Sequence, residues 1–383
     1  MQKKRVVIAI DSFKGSLTSL EAGYAVKRGA ENADASIVAI VRPLADGGEG
    51  TVNAVTLALN GVYETVTVTG PTGKLVKSVY GYIEETKTAI IELSEASGLC
   101  LLSEKEKNPM NTTSYGMGEL IRHAIGKGCR NFIIGLGGSA TNDGGIGMLQ
   151  ALGFGFLDPM GEQIPFGARG IKRLKKIKTN EVIPELENCT FRIACDVVNP
   201  LYGENGASVI YGPQKGADPE MVEKLDRYLK KYADITKRHY PDANPEAPGS
   251  GAAGGLGFAL ATFLNASLES GVELILKATD LEGYIRKADL VVTGEGRMDY
   301  QTSMGKAPMG VAKLAEKYNK PVIAFTGGAT REAVYCNELG IGAFFPILRE
   351  VIDLREAMQK ETAINNLEET AEQVFRLIRM MQE

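Results

Sequence analysis

Charged side chains recur in this sequence directly after short apolar runs, beside glycine and hydroxyl residues. The first such segment is DSFKGS (residues 11–16), which follows the apolar run Arg5 to Ile10. It brings together the Asp11 carboxylate, two hydroxyls and the Lys14 ammonium, which could neutralise a phosphate or a carboxylate. If the run is a strand, this chemistry lies at the carboxyl end of a sheet, where open α/β sheets bind ligands.

A second segment of this kind is ADGGEGT (residues 45–51), which comes after the apolar run Ser36 to Val41. Its glycines allow a close approach of the backbone to a ligand. Its acids, Asp46 and Glu49, could hold Mg²⁺ or orient a substrate hydroxyl, because Mg²⁺ prefers a few carboxylates together with waters and substrate phosphates.

The glycine-rich segment GLGGSATNDGG (residues 135–145) is the best candidate for a phosphate-binding loop. It follows the predicted strand Asn131 to Leu136, and several of its backbone N–H groups could point at phosphate oxygens. It also matches the dinucleotide fingerprint G-x-G-x-x-A, with Asp158 as a candidate ribose ligand, so an NAD-dependent oxidoreductase is an alternative. A P-loop is excluded, because Tyr300 stands where the motif ending at Gly305-Lys306 requires its first glycine.

Three further segments carry polar side chains or clustered glycines. ACDVVNPL (residues 194–201) follows the predicted strand Phe191 to Ala194 and places Asp196 at a strand end. GSGAAGG (residues 249–255) is predicted to open a helix and to bind an anion there. TGEGRMDYQTSMGK (residues 293–306) combines two acids, an amide, several hydroxyls and two cations after the predicted strand Asp289 to Val292.

Composition and charge exclude several classes of protein. The 383 residues are 44% hydrophobic and 23% charged, and the formal net charge is -4 without a basic stripe, so nucleic acid is not an expected partner. No signal peptide and no apolar stretch of about 18 residues is visible, which predicts a cytoplasmic protein that does not enter a membrane. Only two histidines and five scattered cysteines are present, so a zinc site or a Ser/His/Asp triad has few possible members.

Apolar runs alternate with helical patterns at both ends of the chain, which is typical of βαβ units with a parallel sheet. The middle differs, because Tyr63 to Thr69 and Ser78 to Tyr82 alternate as antiparallel strands do. We therefore predict an α/β protein with a discontinuous, Rossmann-like doubly wound domain (residues 1–70 plus 285–383). A second α/β domain (residues 71–284) is inserted into it.

The six segments described above, in this order and over nearly the whole chain, strongly resemble those of the type I glycerate kinases. Each segment alone is weakly specific, whereas the six in order are very specific. The resemblance implies MgATP as phosphoryl donor and D-glycerate as acceptor, with 2-phosphoglycerate as product in most members and 3-phosphoglycerate in others. It also implies a Rossmann-like domain with a second α/β domain inserted.

Roles for individual residues are hypotheses from residue type and strand-end placement. We predict that either Asp46 or Asp196 is the catalytic base, and that Lys14 and Lys306 balance the charge of the phosphates. The residues predicted to bind ATP phosphates are Gly137, Gly138, Ser139, Ala140, Thr141 and Lys306. The residues predicted to bind substrate are Asp11, Ser12, Ser250, Gly251, Gly254, Gln301 and Thr302. The residues predicted on the Mg²⁺ side are Asp143, Glu295 and Asp299.

Other functions compete with this one. A kinase that phosphorylates the 3-hydroxyl of glycerate, or another small hydroxy acid, shares nearly all of these features. A sensor that binds phosphorylated metabolites without turnover would use similar loops, although it would not need so many acids at strand ends. Oligomeric state is left open, and a homo-oligomer is compatible with the sequence.

Overall fold

The computed structural model describes residues 3–45 and 47–381, and its chain divides into two compact units. Unit 1 comprises Met1–Asp46, Asn53–Leu59 and Val272–Glu383, and unit 2 comprises Gly47–Val52 and Asn60–Gly271. Each unit combines strands and helices, so the mixed α/β architecture predicted from the sequence is present in both. The predicted catalytic residue Asp46 lies outside the described residues.

Strands and helices alternate over most of the described chain. The strands are β1 (Lys4–Ile8), β2 (Ile37–Val41), β3 (Val62–Thr69), β4 (Leu75–Ile83), β5 (Thr88–Glu92), β6 (Asn131–Gly135), β7 (Gly155–Leu157), β8 (Lys176–Lys178), β9 (Thr190–Ala194), β10 (Ser267–Glu269), β11 (Leu290–Met298), β12 (Val322–Ala329) and β13 (Ala343–Pro346). The α-helices are α1 (Ser19–Ala33), α2 (Thr51–Ala58), α3 (Ser94–Ser97), α4 (Tyr115–Gly126), α5 (Ile146–Ala151), α6 (Ala168–Ile171), α7 (Ala207–Tyr211), α8 (Pro219–Lys237), α9 (Ala252–Leu264), α10 (Gly271–Ala278), α11 (Leu281–Ile285), α12 (Tyr300–Ser303), α13 (Ala307–Glu316), α14 (Tyr335–Glu338), α15 (Leu354–Ala357) and α16 (Lys360–Met380).

Unit 1 contains a five-stranded sheet in the order β13-β12-β11-β1-β2, and all of its strand pairs are parallel. Alternate residues of β1 face opposite sides, as the two-residue period of a strand requires. Val6 and Ile8 pack in one apolar cluster with α1 and α16, whereas Val7 packs in another with α11 and α13. Helices therefore cover both faces of this sheet, which explains why its central strands are apolar throughout.

The first helix of unit 1 begins where the sequence provides a cap. The Thr18 hydroxyl accepts from the Glu21 N–H at 3.2 Å, and the Glu21 carboxylate accepts from the Thr18 N–H at 2.9 Å. This reciprocal capping box satisfies two N–H groups that the first turn leaves unpaired. Gly29 of α1 lies against α16, because a Cβ at Gly29 would be 2.3 Å from the Glu368 carbonyl oxygen.

Unit 2 contains a six-stranded sheet in the order β10-β9-β6-β5-β4-β3 and a separate two-stranded antiparallel sheet of β7 and β8. The pairs β3–β4 and β4–β5 are antiparallel, as the alternating sequence predicts, and the remaining pairs are parallel. The core of the unit combines apolar residues of these strands with α4, α5, α8 and α9. The carboxyl ends of β5, β6 and β9 therefore meet at one edge of the sheet.

Two predicted elements differ from the structure. The strand predicted over Asp289 to Val292 continues to Met298, so the segment TGEGRM is extended strand and not loop. Its continuation pairs with β12 in register, Glu295 with Thr326 and Arg297 with Gly328, and this hydrogen bonding overrides the weak strand propensity of glycine. The segment GSGAAGG leads into α9, but Ala253, Gly254 and Gly255 have positive φ angles of 51°, 69° and 94° and are not helical.

No helix in the described part of the chain is long and apolar enough to cross a membrane. The five cysteines carry free thiols, and two of them, Cys129 and Cys336, are buried.

The packing of α4 against α5 predicts that Gly118→Ala destabilises the protein by about 1–3 kcal/mol. A Cβ at Gly118 would lie 2.2 Å from the Met148 carbonyl oxygen and 2.7 Å from the Ala151 Cβ, so the helices must separate to admit it. The free energy of unfolding, from urea denaturation followed by circular dichroism, measures the effect.

Gly126→Ala is the matched control, since Gly126 ends the same helix and nothing lies within 4 Å of a Cβ built there. We expect it to leave stability unchanged or to raise it by up to about 1 kcal/mol, because alanine reduces the entropy of the unfolded chain. Equal effects of the two substitutions would contradict the packing argument.

Candidate active site

In unit 1, β11 carries a buried glutamate beside a hydroxyl and an ammonium. Glu295 is 8% exposed, and its carboxylate accepts a short hydrogen bond from the Thr302 hydroxyl. The Lys306 Nζ lies 3.6 Å from the other Glu295 oxygen. Burial raises the pKa of Glu295, and the hydrogen bond and the Lys306 charge oppose this rise. The segment 293–306 therefore folds back on itself so that three of its predicted site residues touch.

Asp299 joins the same cluster at the start of α12. Its carboxylate caps the helix by accepting from the Gln301 N–H at 2.9 Å, and it lies 3.8 Å from both the Lys306 Nζ and the Arg297 Nε. Lys306 thus bridges two carboxylates and is one-third exposed. The Gln301 side chain is exposed. Such an arrangement leaves a cation accessible at the carboxyl end of a central strand, where an anionic ligand could reach it.

The predicted segment 11–16 lies next to this cluster within unit 1. The Asp11 N–H donates to the Gly294 carbonyl at 2.9 Å, and the Asp11 carboxylate accepts from the Ser12 N–H at 2.6 Å. A Cβ at Gly296 would lie 3.3 Å from the Lys14 backbone nitrogen, so the two segments pack closely. The Lys14 side chain is exposed, whereas Asp11 and Ser12 are half-buried. The structure therefore brings the first and the last chemical segments of the sequence together.

In unit 2, two glycine segments contact each other through their backbones. A Cβ at Gly135 would lie 2.4 Å from the Gly47 carbonyl oxygen, and a Cβ at Gly137 would lie 2.7 Å from the Gly48 Cα. A side chain at either position would force the segments apart. These positions therefore require glycine because two segments of the chain itself pack closely against each other here.

Hydrogen bonds to neighbouring segments hold the loop Gly137–Thr141. The Ala140 N–H donates to the Ser97 carbonyl at 2.9 Å, and the Thr112 hydroxyl donates to the Ala140 carbonyl at 2.8 Å. Gly137 is half-buried and Gly138 exposed, whereas Ser139, Ala140 and Thr141 are buried. Of the five loop residues predicted to bind ATP, the first two are therefore the most accessible.

Asp143 is enclosed by the turn that follows this loop. It is 1% exposed, and its carboxylate accepts from the N–H and the hydroxyl of Ser114 at 2.8 and 2.9 Å. It also accepts from the N–H groups of Gly145 and Gly147. Burial raises the pKa of Asp143, and these bonds oppose the rise. With four donors on its two oxygens, Asp143 shapes the turn, and its role at Mg²⁺ stays a prediction.

The predicted substrate-binding residues of segment 249–255 pack against backbone. A Cβ at Gly251 would lie 2.3 Å from a carbonyl oxygen of segment 194–201, and a Cβ at Gly254 would lie 2.1 Å from the Thr141 carbonyl oxygen. The Ser250 hydroxyl donates to a backbone carbonyl at 3.0 Å and is 3% exposed. These contacts explain the small residues by packing, and their part in substrate binding stays a prediction.

Asp196 lies two residues beyond the end of β9 and is exposed. Its carboxylate accepts from the Gly271 N–H at 2.9 Å. The backbone thereby orients this carboxylate at the carboxyl edge of the unit 2 sheet. A role as catalytic base stays a prediction for Asp196, as it does for Asp46.

Two buried ionisable residues of unit 2 were not predicted as site residues from the sequence. Lys215 is 1% exposed and donates to the Ser139 hydroxyl and the Thr141 carbonyl at 2.8 and 2.7 Å. Glu92 is 5% exposed and ends β5, beside Gly135 of β6. A single lysine in PQKG and a single glutamate in TAIIE carry no motif, so only the topology reveals that both adjoin the glycine loop.

Among residues 3–45 and 47–381, no three His, Cys, Asp or Glu side chains converge as a metal site. The predicted Mg²⁺-side acids divide between the units, with Glu295 and Asp299 in unit 1 and Asp143 in unit 2. Of these three acids, Glu295 and Asp299 belong to the same cluster. Mg²⁺ in phosphoryl-transfer sites often takes one or two carboxylates and completes its shell with phosphates and waters, so this pair fits its chemistry.

Known proteins resemble this chain over nearly its whole length. The model of the Glycerate kinase family matches residues 6–379. The chain belongs to the glycerate kinase family. A glycerate 2-kinase of Escherichia coli is 46% identical over 357 residues, which are 93% of each chain. A glycerate kinase of Haemophilus influenzae is 44% identical over 98% of each chain. A solved structure from Salmonella typhimurium LT2, described as a "putative glycerate kinase 2", superposes with a TM-score of 0.91 at 43% identity over 100% of both chains.

In this member of the glycerate kinase family, Glu92 links the sheet of unit 2 to the segment after Gly48. Its carboxylate accepts from the Val52 N–H at 2.6 Å, from the Gly50 N–H and from the Ser94 hydroxyl at 3.2 Å. Burial raises the pKa of Glu92 to about 7, because these donors do not fully replace the water that it loses. A protonation change at Glu92 therefore falls in the neutral pH range.

The pKa of Glu92 predicts a pH-dependent stability that Glu92→Gln removes. Its unfolded pKa is near 4.5, so between about pH 4.5 and 7 the native state binds more protons than the unfolded state. Native stability contributed by this site therefore falls as the pH rises. We expect the free energy of unfolding of the variant, relative to wild type, to increase by roughly 2–3 kcal/mol from pH 4.5 to 8.

Urea denaturation of both proteins at several pH values measures this difference. Every other titrating group is present in both proteins, so its contribution cancels in the difference between their free energies of unfolding. A difference that stays constant from pH 4.5 to 8 would show that the pKa of Glu92 is ordinary in the native state.

Proposed function

We propose that this member of the glycerate kinase family transfers the γ-phosphoryl group of ATP to the 2-hydroxyl of D-glycerate. The observation that carries the proposal is the match of the family model to residues 6–379, joined by 46% identity to a glycerate 2-kinase over 93% of both chains. The clusters in each unit supply the residue types that phosphoryl transfer needs, namely cations, backbone N–H groups and carboxylates.

The cluster of unit 1 supplies accessible positive charge. Lys306 is one-third exposed and lies within 4 Å of both Glu295 and Asp299, and Lys14 is exposed on the neighbouring segment. In our proposal both lysines balance the negative charge on phosphate groups, which spreads over the transferred oxygens in the transition state. Asp11, Ser12, Gln301 and Thr302 are proposed to hold substrate beside them.

The loop of unit 2 supplies backbone donors. Gly137 and Gly138 are the accessible residues of Gly137–Thr141, so their N–H groups are the ones proposed to meet phosphate oxygens of ATP. Ser139, Ala140 and Thr141 would act by holding the loop, because they are buried. Ser250, Gly251 and Gly254, also in unit 2, are proposed to bind glycerate.

Mg²⁺ accompanies ATP in this proposal, and Glu295 and Asp299 are the residues that would hold it. Bound there, the ion would screen the charge of the phosphate oxygens. Lys306 already bridges the two carboxylates at 3.6 and 3.8 Å and would share them with the ion. Asp143 is left out of this part of the proposal, because its carboxylate already accepts from the N–H and hydroxyl of Ser114 and from the N–H groups of Gly145 and Gly147.

The finer fold assignment is also a proposal. We infer that unit 1 is a Rossmann-like doubly wound domain, which its parallel five-stranded sheet and the helices on both faces support. Counted within the unit, its strand order is 2-1-3-4-5, an order known from doubly wound folds with a ligand crevice at the reversal of strand order. The predicted division into residues 1–70 plus 285–383 and residues 71–284 stays part of this proposal.

Incubation of the purified protein with MgATP and D-glycerate should form ADP only when D-glycerate is present. The product should be used at once by added enolase, because enolase accepts the 2-phosphorylated acid. Phosphorus NMR identifies the product independently.

Each alternative gives a different result in the same assay. ADP formation without enolase use would place the phosphate on the 3-hydroxyl. If no ADP forms with D-glycerate but ADP forms with another hydroxy acid, that acid is the substrate. ATP binding without turnover across a panel of hydroxy acids would favour the phospho-metabolite sensor over the kinase.

Replacing the base should lower kcat by about 10²–10⁴, because a carboxylate that accepts the hydroxyl proton contributes on that order. We expect this loss in one of two variants, Asp196→Asn or Asp46→Asn, with the other within a few-fold of wild type. Asparagine keeps the size of each side chain and removes its basicity. Steady-state kinetics with saturating MgATP and D-glycerate measure kcat.

Thermal unfolding of both variants controls for structural damage, and Asp226→Asn provides a matched change at a carboxylate of unit 2 outside the predicted sites. Asp226 accepts from the Gly203 N–H at 2.9 Å, much as Asp196 accepts from Gly271. If Asp46→Asn and Asp196→Asn both retain activity near that of wild type, neither carboxylate is the base.

A further inference from the structure

Lys215 is a fully buried cation under the glycine loop of unit 2. Its ammonium donates to the Ser139 hydroxyl at 2.8 Å and to the Thr141 carbonyl at 2.7 Å, so it joins two residues of the loop Gly137–Thr141 from one side. The side chain is 1% exposed. Lysines are almost never buried to this degree unless a carboxylate pairs with them, whereas the hydrogen-bond partners of the Lys215 ammonium are a hydroxyl and a backbone carbonyl.

The backbone around Lys215 presents the side chain from a tight turn. The Lys215 N–H donates to the Gly212 carbonyl at 3.0 Å, and the Gly216 N–H donates to the Pro213 carbonyl at 3.0 Å. Gly216 has a φ of 94°, and a Cβ there would lie 2.5 Å from the Lys107 carbonyl oxygen. The turn is therefore fixed by packing, and the position of the ammonium is determined before any ligand binds.

Stability alone does not account for this arrangement. Burying an ammonium costs several kcal/mol, and buried charges are weak evidence of a stabilising role. Burial lowers the pKa of Lys215 to about 7, whereas attraction to Asp143 opposes this change. An anion bound at the accessible end of the loop would favour the charged form in the same way. The buried charge thus has a use if the loop receives anions.

We propose that Lys215 is a positioning residue for nucleotide binding, which ties Ser139 to Thr141 and places a buried positive charge beneath the phosphate-binding loop. The proposal rests on the proposed function, since it takes the loop Gly137–Thr141 as the site of ATP phosphates. Lys215 does not contact the ligand, because its side chain is enclosed. It acts by holding the loop and by the field of its ammonium, which a buried site screens little.

Lys215→Met tests the role, because methionine has a similar length without charge or donors. We expect the KM for ATP to rise at least about tenfold, consistent with the loss of hydrogen bonds to a charged group. The KM for D-glycerate should stay within about twofold of the wild-type value. Lys215→Arg, which keeps the charge, should raise the KM for ATP less than Lys215→Met does.

Lys231→Met is the matched control in the same unit. Lys231 also donates to a backbone carbonyl, that of Lys172 at 2.7 Å, but it belongs to α8 and its acceptor is not a loop residue. We expect unchanged KM values for both substrates in this variant. Ser139→Ala adds a second test, since its effect on the KM for ATP should be non-additive with that of Lys215→Met if the two act through one hydrogen bond.

If Lys215 has only a structural role, the variants should show a different pattern of KM values and thermal midpoints. Lys215→Met would then lower the thermal midpoint while the KM for ATP stays within twofold of wild type, or it would raise both KM values equally, and either result overturns the proposal. If Lys215→Met does not fold, unchanged ATP binding in Ser139→Ala, which removes the hydroxyl that accepts from Lys215, overturns it as well.

Failure of the proposed function is separable from failure of this inference. If wild-type protein forms no ADP with D-glycerate, the kinase assignment fails, but the rise of the thermal midpoint on adding MgATP still reports nucleotide binding. Loss of that rise in Lys215→Met and its retention in Lys231→Met would support the role of Lys215. An equal rise in both variants would overturn it.

Discussion

The structure of unit 2 depends on a contact between two backbones. Gly47 and Gly48 lie so close to Gly135 and Gly137 that a side chain at Gly135 or Gly137 would meet backbone atoms within 2.4 to 2.7 Å. In the same segment of unit 2, the Val52 N–H donates to the Glu92 carboxylate. Glycines that were predicted from the sequence to bind a ligand therefore also allow two segments of the chain to pack closely.

In unit 1 the corresponding constraint is electrostatic. Glu295 is carried by a central strand and is nearly enclosed, so its charge needs donors close at hand. The Thr302 hydroxyl and the Lys306 ammonium supply them, and both come from the helical segment that follows the strand. This requirement explains why an acid, a hydroxyl and a cation recur within one short stretch of sequence. It also leaves Lys306 partly exposed, which a charge-balancing role toward phosphate requires.

The sequence predicted the elements whose patterns are local. The alternating apolar strands β3 and β4 and the capped helix α1 follow from period and capping residues, and the structure confirms them. The length of strand β11 was underestimated, because Gly294 and Gly296 have low strand propensity, whereas the pairing of this stretch with β12 favours the extended backbone. Lys215 escaped notice for a related reason, since a lone lysine in a turn acquires meaning only when the fold places it beneath a loop 74 residues away in the chain.

Hydrogen bonding separates the charged residues that a ligand can use from those that the fold has already used. Asp143 stands in a glycine-rich motif, yet two donors of Ser114 and two N–H groups of its own turn occupy its carboxylate. Lys306 stands in a motif of similar texture, but its carboxylate partners lie at 3.6 and 3.8 Å and part of its surface meets solvent. Two residues with equal claims from sequence therefore have different capacities for chemistry. The reason is that a buried charge must be satisfied by the protein, whereas an accessible one can exchange water for a ligand.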